Sequence, residues 1–572
     1  MDNRALTELS ATEIAEAVRT GVVSALAVAE AHLARIDEVN PAVNAATVVL
    51  TDQARAAAAA VDARIAAGQD GGPLAGVPIS VKENIDLTGS ATTSGLPFAT
   101  DHIPAENASF VTKLLAAGAI PVARGNMPDV GLRWDTDNDL YGRTWNPWDR
   151  SRVPGGSSGG DAVIVATGMA AAGLGNDYGG SLRLPAHAAG IAALRPSAGR
   201  VPAPTRQIMP IELSLQAFAV NGPLARTVAD LDLLFGVMHG ADDNDPLSVT
   251  VPHPSGYDGP RRVAVTVDPA GWGVEPQVAA AVRAAARALT EAGWEVEEVE
   301  PPQVDRCATL WRQISASEMA PALLTPGVFP GPLSAGTVKY FTDNVAGVDL
   351  LDTAATYSAA WAERHALAAR WRRFNTRYPV VLGPVTTAAM PAIGWDLSGP
   401  EATTEQWQQH RLLVTANFLG LPAVAVPTGV TDGRPQGVQV ISRLHGEHIA
   451  LAAARAIEAA HPAMTPIDPA PDRRGPGGGQ FQRGRAGHPV HYRRRPGPAH
   501  LPVGEAWIQL APNAGPPSSG TPSRGCPAAP AGPGRAAITA AAMANRPMIV
   551  QISVNVPPCE VSTLPGRGEP CG

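Results

Sequence analysis

The sequence predicts an α/β fold over residues 1–469 of the 572-residue chain, and three observations carry that prediction. Period-two alternation at Val77, Ile79 and Val81 follows directly on a stretch of helical spacing. A second strand, helix and strand succeed one another between residues 262 and 299. Between them a Gly/Ser loop, Gly155–Gly160, opens onto an Ala-rich run.

Taken in order, residues Leu6 to Ala67 show apolar positions at helical spacing (Ile14, Ala17, Val18, then Ala27, Val28, Ala31, Leu33, Ile36), a helical lead-in with Asn40-Pro41 as its break. From Gly71 to Ile85 a Gly/Pro turn gives way to a strand, with Val77, Ile79 and Val81 on one face and Ser80 and Lys82 on the other. After a loop through Thr92, Thr93 and Ser94, Ala108–Ala117 reads as a helix stopped by Gly118, and Ala119–Arg124 as the next strand. Residues 141–160 are too rich in Pro and Gly for regular structure, and Asp161–Ala172 reads as a helix. Later come a strand at Arg262–Val267, a helix at Pro276–Ala292 and a strand at Glu295–Val299. A helix at 404–418, paired strands at Ala423–Pro427 and Gly437–Ser442, and a closing helix at Glu447–Ala460 complete the pattern.

That pattern stops near Pro469. From residue 470 onward Arg, Pro, Gly and Ala recur without period and core-forming residues are sparse, so the tail is expected to be disordered; its bias matches out-of-frame reading of GC-rich coding sequence. The formal net charge of −8 conceals an asymmetry: residues 471–572 hold 11 Arg, no Lys and 4 acids, a charge of +7, which leaves −15 on residues 1–470. A body that acidic is a poor match for a phosphate backbone, so no nucleic-acid partner is expected. The start, MDNRALTELS, lacks a basic stretch followed by an apolar run, and apolar runs elsewhere are broken by charges or Gly; the expectation is a cytoplasmic protein with no membrane partner. The four cysteines (Cys307, Cys526, Cys559, Cys571) have no metal-ligand spacing, so no metal is expected.

Chemistry concentrates in two glycine–serine elements, GGSSGG at Gly155–Gly160 and Gly179-Gly180-Ser181, which place Ser157 and Ser181 24 residues apart on either side of one helix. Alone, each is most often a turn or helix cap. No Gly-Lys-Ser/Thr follows, which excludes a P-loop, and no strand precedes the first loop, which excludes both a dinucleotide fingerprint and a nucleophile elbow on the G-x-S-x-G match at Gly156, Ser158 and Gly160. A serine hydroxyl needs a base to become a nucleophile, and a lysine serves only where burial lowers its pKa; Lys82, on a strand among apolar residues, is so placed.

The runs GPLAGVPISVKENID (Gly72–Asp86), NPWDRSRVPGGSSGGDA (Asn146–Ala162) and GLGNDYGGSLRLPA (Gly173–Ala186) together resemble the amidase signature family, with further likeness in ARGNMPD (Ala123–Asp129), GPLARTVADL (Gly222–Leu231) and GVQVISRLHGEHIALAAARAIE (Gly437–Glu458). The resemblance spans roughly residues 5 to 468. It implies one large domain built on a central mixed, twisted β-sheet with helices on both faces: the lead-in at about 5–67, a catalytic core at about 70–235 and a second α/β part at about 260–468. It also implies an amidohydrolase that acts on a small-molecule amide without a cofactor, in a form compatible with a homodimer. Carried over residue by residue, the nucleophile falls on Ser181, the relay on Ser157 after a cis peptide bond, and the base on Lys82. The oxyanion hole falls on the backbone N–H groups of Tyr178, Gly179, Gly180 and Ser181.

Met127, Arg133, Trp134 and Ser158 are expected at the substrate, Arg133 as a carboxylate clamp, while Asp177 and Arg183 are expected to fix the nucleophile loop by an ion pair. The chain departs from the family pattern at Asn176 and Tyr178 (for threonines), Asp161 (for serine) and Glu83 (for aspartate). None removes a reacting atom; the Tyr178 ring is expected to narrow the site. Two alternatives stay open: the glutamine-hydrolysing A subunit of a tRNA-dependent amidotransferase, whose likeness is clear to about Arg195–Gln207, and a non-catalytic binding protein on the same fold.

Overall fold

The computed structural model describes residues 2–203, 212–461 and 463–471, all within a unit spanning Met1–Gly479. A second unit, Gln480–Gly572, lies outside the described residues, and with it falls the expectation of a disordered tail.

Among the described residues, eleven strands form one mixed sheet. In chain order they are β1 (Ala46–Val49), β2 (Pro78–Lys82), β3 (Ile120–Gly125), β4 (Ala172–Asn176), β5 (Ala192–Arg195), β6 (Asn221–Ala225), β7 (Arg262–Val265), β8 (Glu295–Glu298), β9 (Val380–Pro384), β10 (Ala423–Thr431) and β11 (Arg434–Ser442). Their spatial order is β1-β3-β2-β4-β6-β5-β10-β11-β9-β7-β8. The runs β3-β2-β4 and β9-β7-β8 are parallel, and the remaining pairs are antiparallel.

Alternating strand residues enter two different cores, because successive Cβ atoms point to opposite faces. Val263, Val265, Val380, Leu382, Val424 and Val426 pack into one cluster with the helices Ala25–Val43, Val228–Met238, Pro276–Glu291 and Glu447–Ala459. Ala264, Val381, Ala423 and Ala425 face the other cluster, built on the helices Arg183–Ala189, Val304–Leu324, Ala354–Arg377 and Arg411–Leu419. Helices therefore cover both faces, and the central strands read as apolar runs for that reason. β2 is the exception: Ile79 and Val81 join the first core, while Ser80 and Lys82 are completely buried on the other face.

Several elements differ from the sequence expectation. The lead-in holds a strand, β1, and its third helix runs through Pro41 to Val43. Pro41 sits in the last turn, where few intrahelical bonds remain to lose, and the Asn40 side chain ties the exit by accepting from the Ala45 and Ala46 N–H groups at 2.8 Å each. The helix expected over Asp161–Ala172 spans Gly159–Ala166, ends at Gly168 (φ 75°), and leaves Ala172 to start β4. The 404–418 helix is two, Pro400–Gln409 and Arg411–Leu419. The hairpin strands reach further than expected, to an Asp432-Gly433 turn with both residues at positive φ, the two-residue connection that matches strand twist. Unanticipated are β5, β6 and β9, four or five residues each in Ala-, Gly- or Pro-rich sequence, too short for a period to stand out.

Delivery of the chain into β2 depends on Gly72, at φ 91°, where a Cβ would lie 2.3 Å from the Ala117 carbonyl oxygen. Gly72→Ala is expected to cost about 1–3 kcal/mol in urea unfolding. Gly68→Ala, at φ 72° with nothing within 4 Å, is expected to cost less; equal losses in the two variants would show that the clash is absorbed.

Candidate active site

Three parallel strands bring the site together at their carboxyl ends, where β/α sheets commonly bind ligands. Lys82 is the last residue of β2, Gly125 is its register partner on β3, and Asn176 ends β4. Lys82 Nζ lies 2.7 Å from Ser157 Oγ and donates to Asn176 Oδ1 at 2.7 Å; Asn176 Nδ2 in turn donates to Asn84 Oδ1 at 2.8 Å.

Ser157 arrives on a loop pressed backbone to backbone against its neighbours. A Cβ on Gly156 would lie 2.7 Å from the Arg133 carbonyl oxygen, and one on Gly160 only 2.1 Å from Asn126 N, so both positions require glycine for space. The Gly156–Ser157 peptide bond is cis. The second glycine–serine loop docks directly on the first, with the Ser158 N–H donating to the Ser181 carbonyl at 3.2 Å.

A trans peptide points its carbonyl and its N–H in opposite directions, so fixing one aims the other. The Trp311 and Trp134 indoles donate to the Tyr178 and Gly179 carbonyls (3.2 and 2.9 Å), and the Leu184 N–H to the Gly180 carbonyl (2.8 Å). The N–H groups of Gly179 and Ser181 are thereby turned away, and among the described residues neither they nor the Tyr178 N–H has a protein acceptor. Gly180 departs from expectation: its N–H donates to Asp177 Oδ1 at 2.7 Å and is not available to an oxyanion.

Asp177 and Arg183 form the expected ion pair, at 3.0 and 3.1 Å, completely buried. Asn417 Nδ2 donates to the same carboxylate (2.7 Å), and Arg183 extends to Gln439 Oε1 (2.9 Å) and Asn417 Oδ1 (2.6 Å). Burial alone would raise the Asp177 pKa, but the Arg183 charge and its hydrogen bonds, with Arg195 and Asn417, hold it far below the usual carboxylate range. For Lys82 burial prevails: it lowers the pKa to about 7, against the pull of Asp161 and Asp177.

Ser181 opens onto a pocket of about 610 Å³ lined by Trp134, Tyr178, Gly179, Trp311, Tyr340, Phe341 and Trp407, among others. Trp134 and Trp311 lie nearly parallel with centroids 6.3 Å apart, and the Tyr178 ring is 5.6 Å from Trp311. The Tyr178 hydroxyl is held by Ser214 (2.9 Å) and Ser315 (2.6 Å), so its ring is a fixed wall that narrows the site.

Of the residues expected at the substrate, Trp134 lines this pocket. Arg133 lines it too, but cannot serve as a free clamp: buried, it gives Nε and Nη2 to the Asp396 carboxylate at 2.9 and 3.1 Å. Met127 is fully buried off the pocket wall, its carbonyl accepting from Asn138 (2.7 Å), and Ser158 is spent inside the loops, its Oγ donating to the Asn176 carbonyl at 3.4 Å. Sequence reading misses the far wall. Trp311, Ser315 and Met319 recur every four residues along Val304–Leu324, a spacing that marks one helical face. It also misses the Asn176 side chain as a partner of Lys82.

Comparison with known proteins agrees with this geometry. The Amidase family profile matches residues 27–451. The chain is 38% identical over 452 residues to an indoleacetamide hydrolase of Bradyrhizobium diazoefficiens, covering 78% of this chain and 86% of that protein. It is 33% identical over 497 residues to the glutamyl-tRNA(Gln) amidotransferase A subunit of Salinispora arenicola, covering 81% and 99%, so that likeness runs well past the 195–207 segment. Among solved structures, a bacterial aryl acylamidase of the amidase signature enzymes superposes with a TM-score of 0.68 at 28% identity, covering 79% and 96%. A 6-aminohexanoate cyclic dimer hydrolase gives 0.69 at 28%, covering 80% and 98%. The chain belongs to the amidase signature family and is a hydrolase of amide carbon–nitrogen bonds.

Proposed function

We propose that this amidase hydrolyses small amides bearing an aromatic ring, through an acyl-enzyme on Ser181, with Ser157 as proton relay and Lys82 as general base. The observation that carries the chemistry is the 2.7 Å contact between the fully buried Lys82 Nζ and Ser157 Oγ. An amine in that position keeps a lone pair for the Ser157 proton while its N–H bonds to Asn176 Oδ1.

As the Ser181 hydroxyl attacks the amide carbonyl, its proton passes to Ser157 and the Ser157 proton to Lys82. The oxyanion is received by the N–H groups of Tyr178, Gly179 and Ser181. Reversing the relay protonates the leaving amine, and water repeats the cycle on the acyl-enzyme. For the substrate, the support is the ring-lined pocket, together with relatives named for indoleacetamide and aryl acylamide hydrolysis. Flat rings stacked on Trp134 and Trp311 gain area and favourable offset geometry that an aliphatic chain does not.

Replacing Ser181 by Ala is expected to abolish labelling by a fluorophosphonate probe and lower turnover by about a thousandfold or more. Labelling that persists in the variant would remove Ser181 as nucleophile.

Below its pKa the Lys82 ammonium has no lone pair to accept a proton, and above it the amine does. The kcat/KM of wild type is therefore expected to rise with pH through about 7. A flat profile across neutrality would count against Lys82 as the base.

Phe341, on the helix Ala335–Ala346, lines the pocket without touching the nucleophile loop. Phe341→Ala is expected to lower kcat/KM for an arylacetamide by about tenfold and to leave propionamide within about twofold, given the 1–2 kcal/mol that a ring contact contributes. A panel that includes glutamine completes the test: preference for glutamine over arylacetamides would refute the aromatic reading.

A further inference from the structure

Asp161 stands where the family pattern has serine, and its surroundings are built for a carboxylate. It lies on the helix Gly159–Ala166, completely buried, and Ser80 Oγ donates to its Oδ1 at 2.7 Å. Ser80 and Lys82 share one face of β2, two residues apart. The sheet clears space for the group. Gly125, the register partner of Lys82, would place a Cβ 2.3 Å from the Asp161 Cγ and both carboxylate oxygens. Gly173, the register partner of Ser80, would place one 3.1 Å from the Asp161 Cβ. Asp161 Oδ2 has no hydrogen-bond partner although it is fully buried.

The charged and titratable groups on the elements packed against this helix are few. Glu83, directly after β2, accepts from the Thr47 and Thr93 hydroxyls. Arg124 on β3 donates Nη2 to the Lys82 and Ile85 carbonyls (3.1 and 2.9 Å), while its buried Nε and Nη1 have no hydrogen-bond partner and its charge favours the ionised Asp161. Asp177, after β4, and Arg183 hold one another. His187, on the helix Arg183–Ala189, is buried, which lowers its pKa to about 4 and keeps it neutral. Arg226, after β6, donates to the Leu9 carbonyl. That leaves Asp161 as the carboxyl group with an unpartnered oxygen in the compartment of Lys82, with the Arg124 guanidinium as the other charge that acts on it.

We propose that Asp161 is a positioning residue for Lys82: its buried carboxylate supplies the negative charge against which the Lys82 ammonium forms at each proton transfer, and so sets the pH at which the base becomes competent. The proposal rests on Lys82 being the base. When Ser181 attacks, one proton moves from Ser181 to Ser157 and one from Ser157 to Lys82. A positive charge thus appears on Nζ without any water to solvate it. A carboxylate in the same low-dielectric compartment lowers the energy of that ammonium, and a neutral residue does not. The electrostatics have the same sign. Burial lowers the Lys82 pKa, and Asp161 is the leading influence that opposes the fall. Burial raises that of Asp161, against Ser80, Lys82 and Arg124.

The test is the pH profile of kcat/KM for an arylacetamide in wild type, Asp161→Asn, Asp161→Ser and Lys82→Ala, with folding checked by thermal melting. Removing the carboxylate weakens the proton affinity of Lys82, so the acid limb of both Asp161 variants is expected to move to lower pH by about one unit, with a reduced plateau. A limb at the wild-type pH in a folded variant, whatever its turnover or melting temperature, would reduce Asp161 to a packing residue and overturn the proposal. The serine variant, which restores the residue usual in the family, carries the test should the asparagine variant fail to fold. Lys82→Ala separates the two readings. Loss of the limb in that variant upholds Lys82 as base however Asp161 behaves, and a retained limb removes the base itself.

Discussion

A completely buried amine is the constraint from which the rest of the site follows. Lys82 is completely buried at the end of β2, and an ammonium left there unpaired would cost several kcal/mol in desolvation. The fold meets that cost by lowering the pKa of the group and surrounding Nζ with oxygen: Ser157 Oγ and Asn176 Oδ1 at 2.7 Å each, with the Asp161 carboxylate nearby. The same desolvation that is unfavourable for folding lowers the Lys82 pKa, which is what the proposed role as a base requires. A strand suits the task, because the alternation that buries Ile79 and Val81 in one core necessarily buries Ser80 and Lys82 on the other side.

The loop that carries Ser181 has a different problem, since three of its backbone N–H groups are left without protein partners beside the pocket. Such groups are tolerated only where the backbone cannot turn to satisfy them. Here the two indoles and Leu184 hold the carbonyls, while the Asp177–Arg183 pair anchors the loop from below through Gly180 and Leu182. Arg183 reaches Gln439 on β11 and Asn417 on the helix Arg411–Leu419, so residues far along the chain hold the loop in place. A buried pair of this kind adds little to stability over apolar packing, but losing one partner strands a charge. Its value lies in fixing one geometry.

The parts of this arrangement that were legible in the sequence are those written in short range. The Val77–Lys82 alternation marks β2 and sets Lys82 apart from its apolar neighbours, and the two Gly/Ser elements mark Ser157 and Ser181. The Asp177–Arg183 pair was likewise anticipated, because the two residues flank one loop. What stayed hidden depends on register and on distance in the chain. That Gly125 lies opposite Lys82 and leaves room for Asp161, or that Asn176 ends beside Lys82, follows from β3-β2-β4 pairing, which no local pattern encodes. Arg133 shows the converse error: a cation near the pocket looks available until Asp396, 263 residues later, is seen to occupy it.

This division between local and distant determinants has a chemical consequence. The groups proposed to react all come from residues 82–181: Lys82 on β2, Ser157 on the loop before the helix Gly159–Ala166, and Ser181 on the loop after β4. The far wall of the pocket comes from Trp311, Tyr340, Phe341 and Trp407, on helices that lie between β8 and β10 in the chain. Those helices are held by contacts of their own, such as the Ser334 N–H to the Asp129 carboxylate at 2.6 Å and Arg312 to Asn344 at 3.0 Å. A ring at Tyr340, Phe341 or Trp407 can therefore change size without loss of a hydrogen bond to the Ser181 loop, which Trp311 does supply, whereas a Cβ at Gly125, Gly156 or Gly160 would strike backbone or the Asp161 carboxylate. On the proposed relay, substrate preference is freest to vary at Tyr340, Phe341 and Trp407, and least free at Trp134 and Trp311, whose indoles also hold the Ser181 loop.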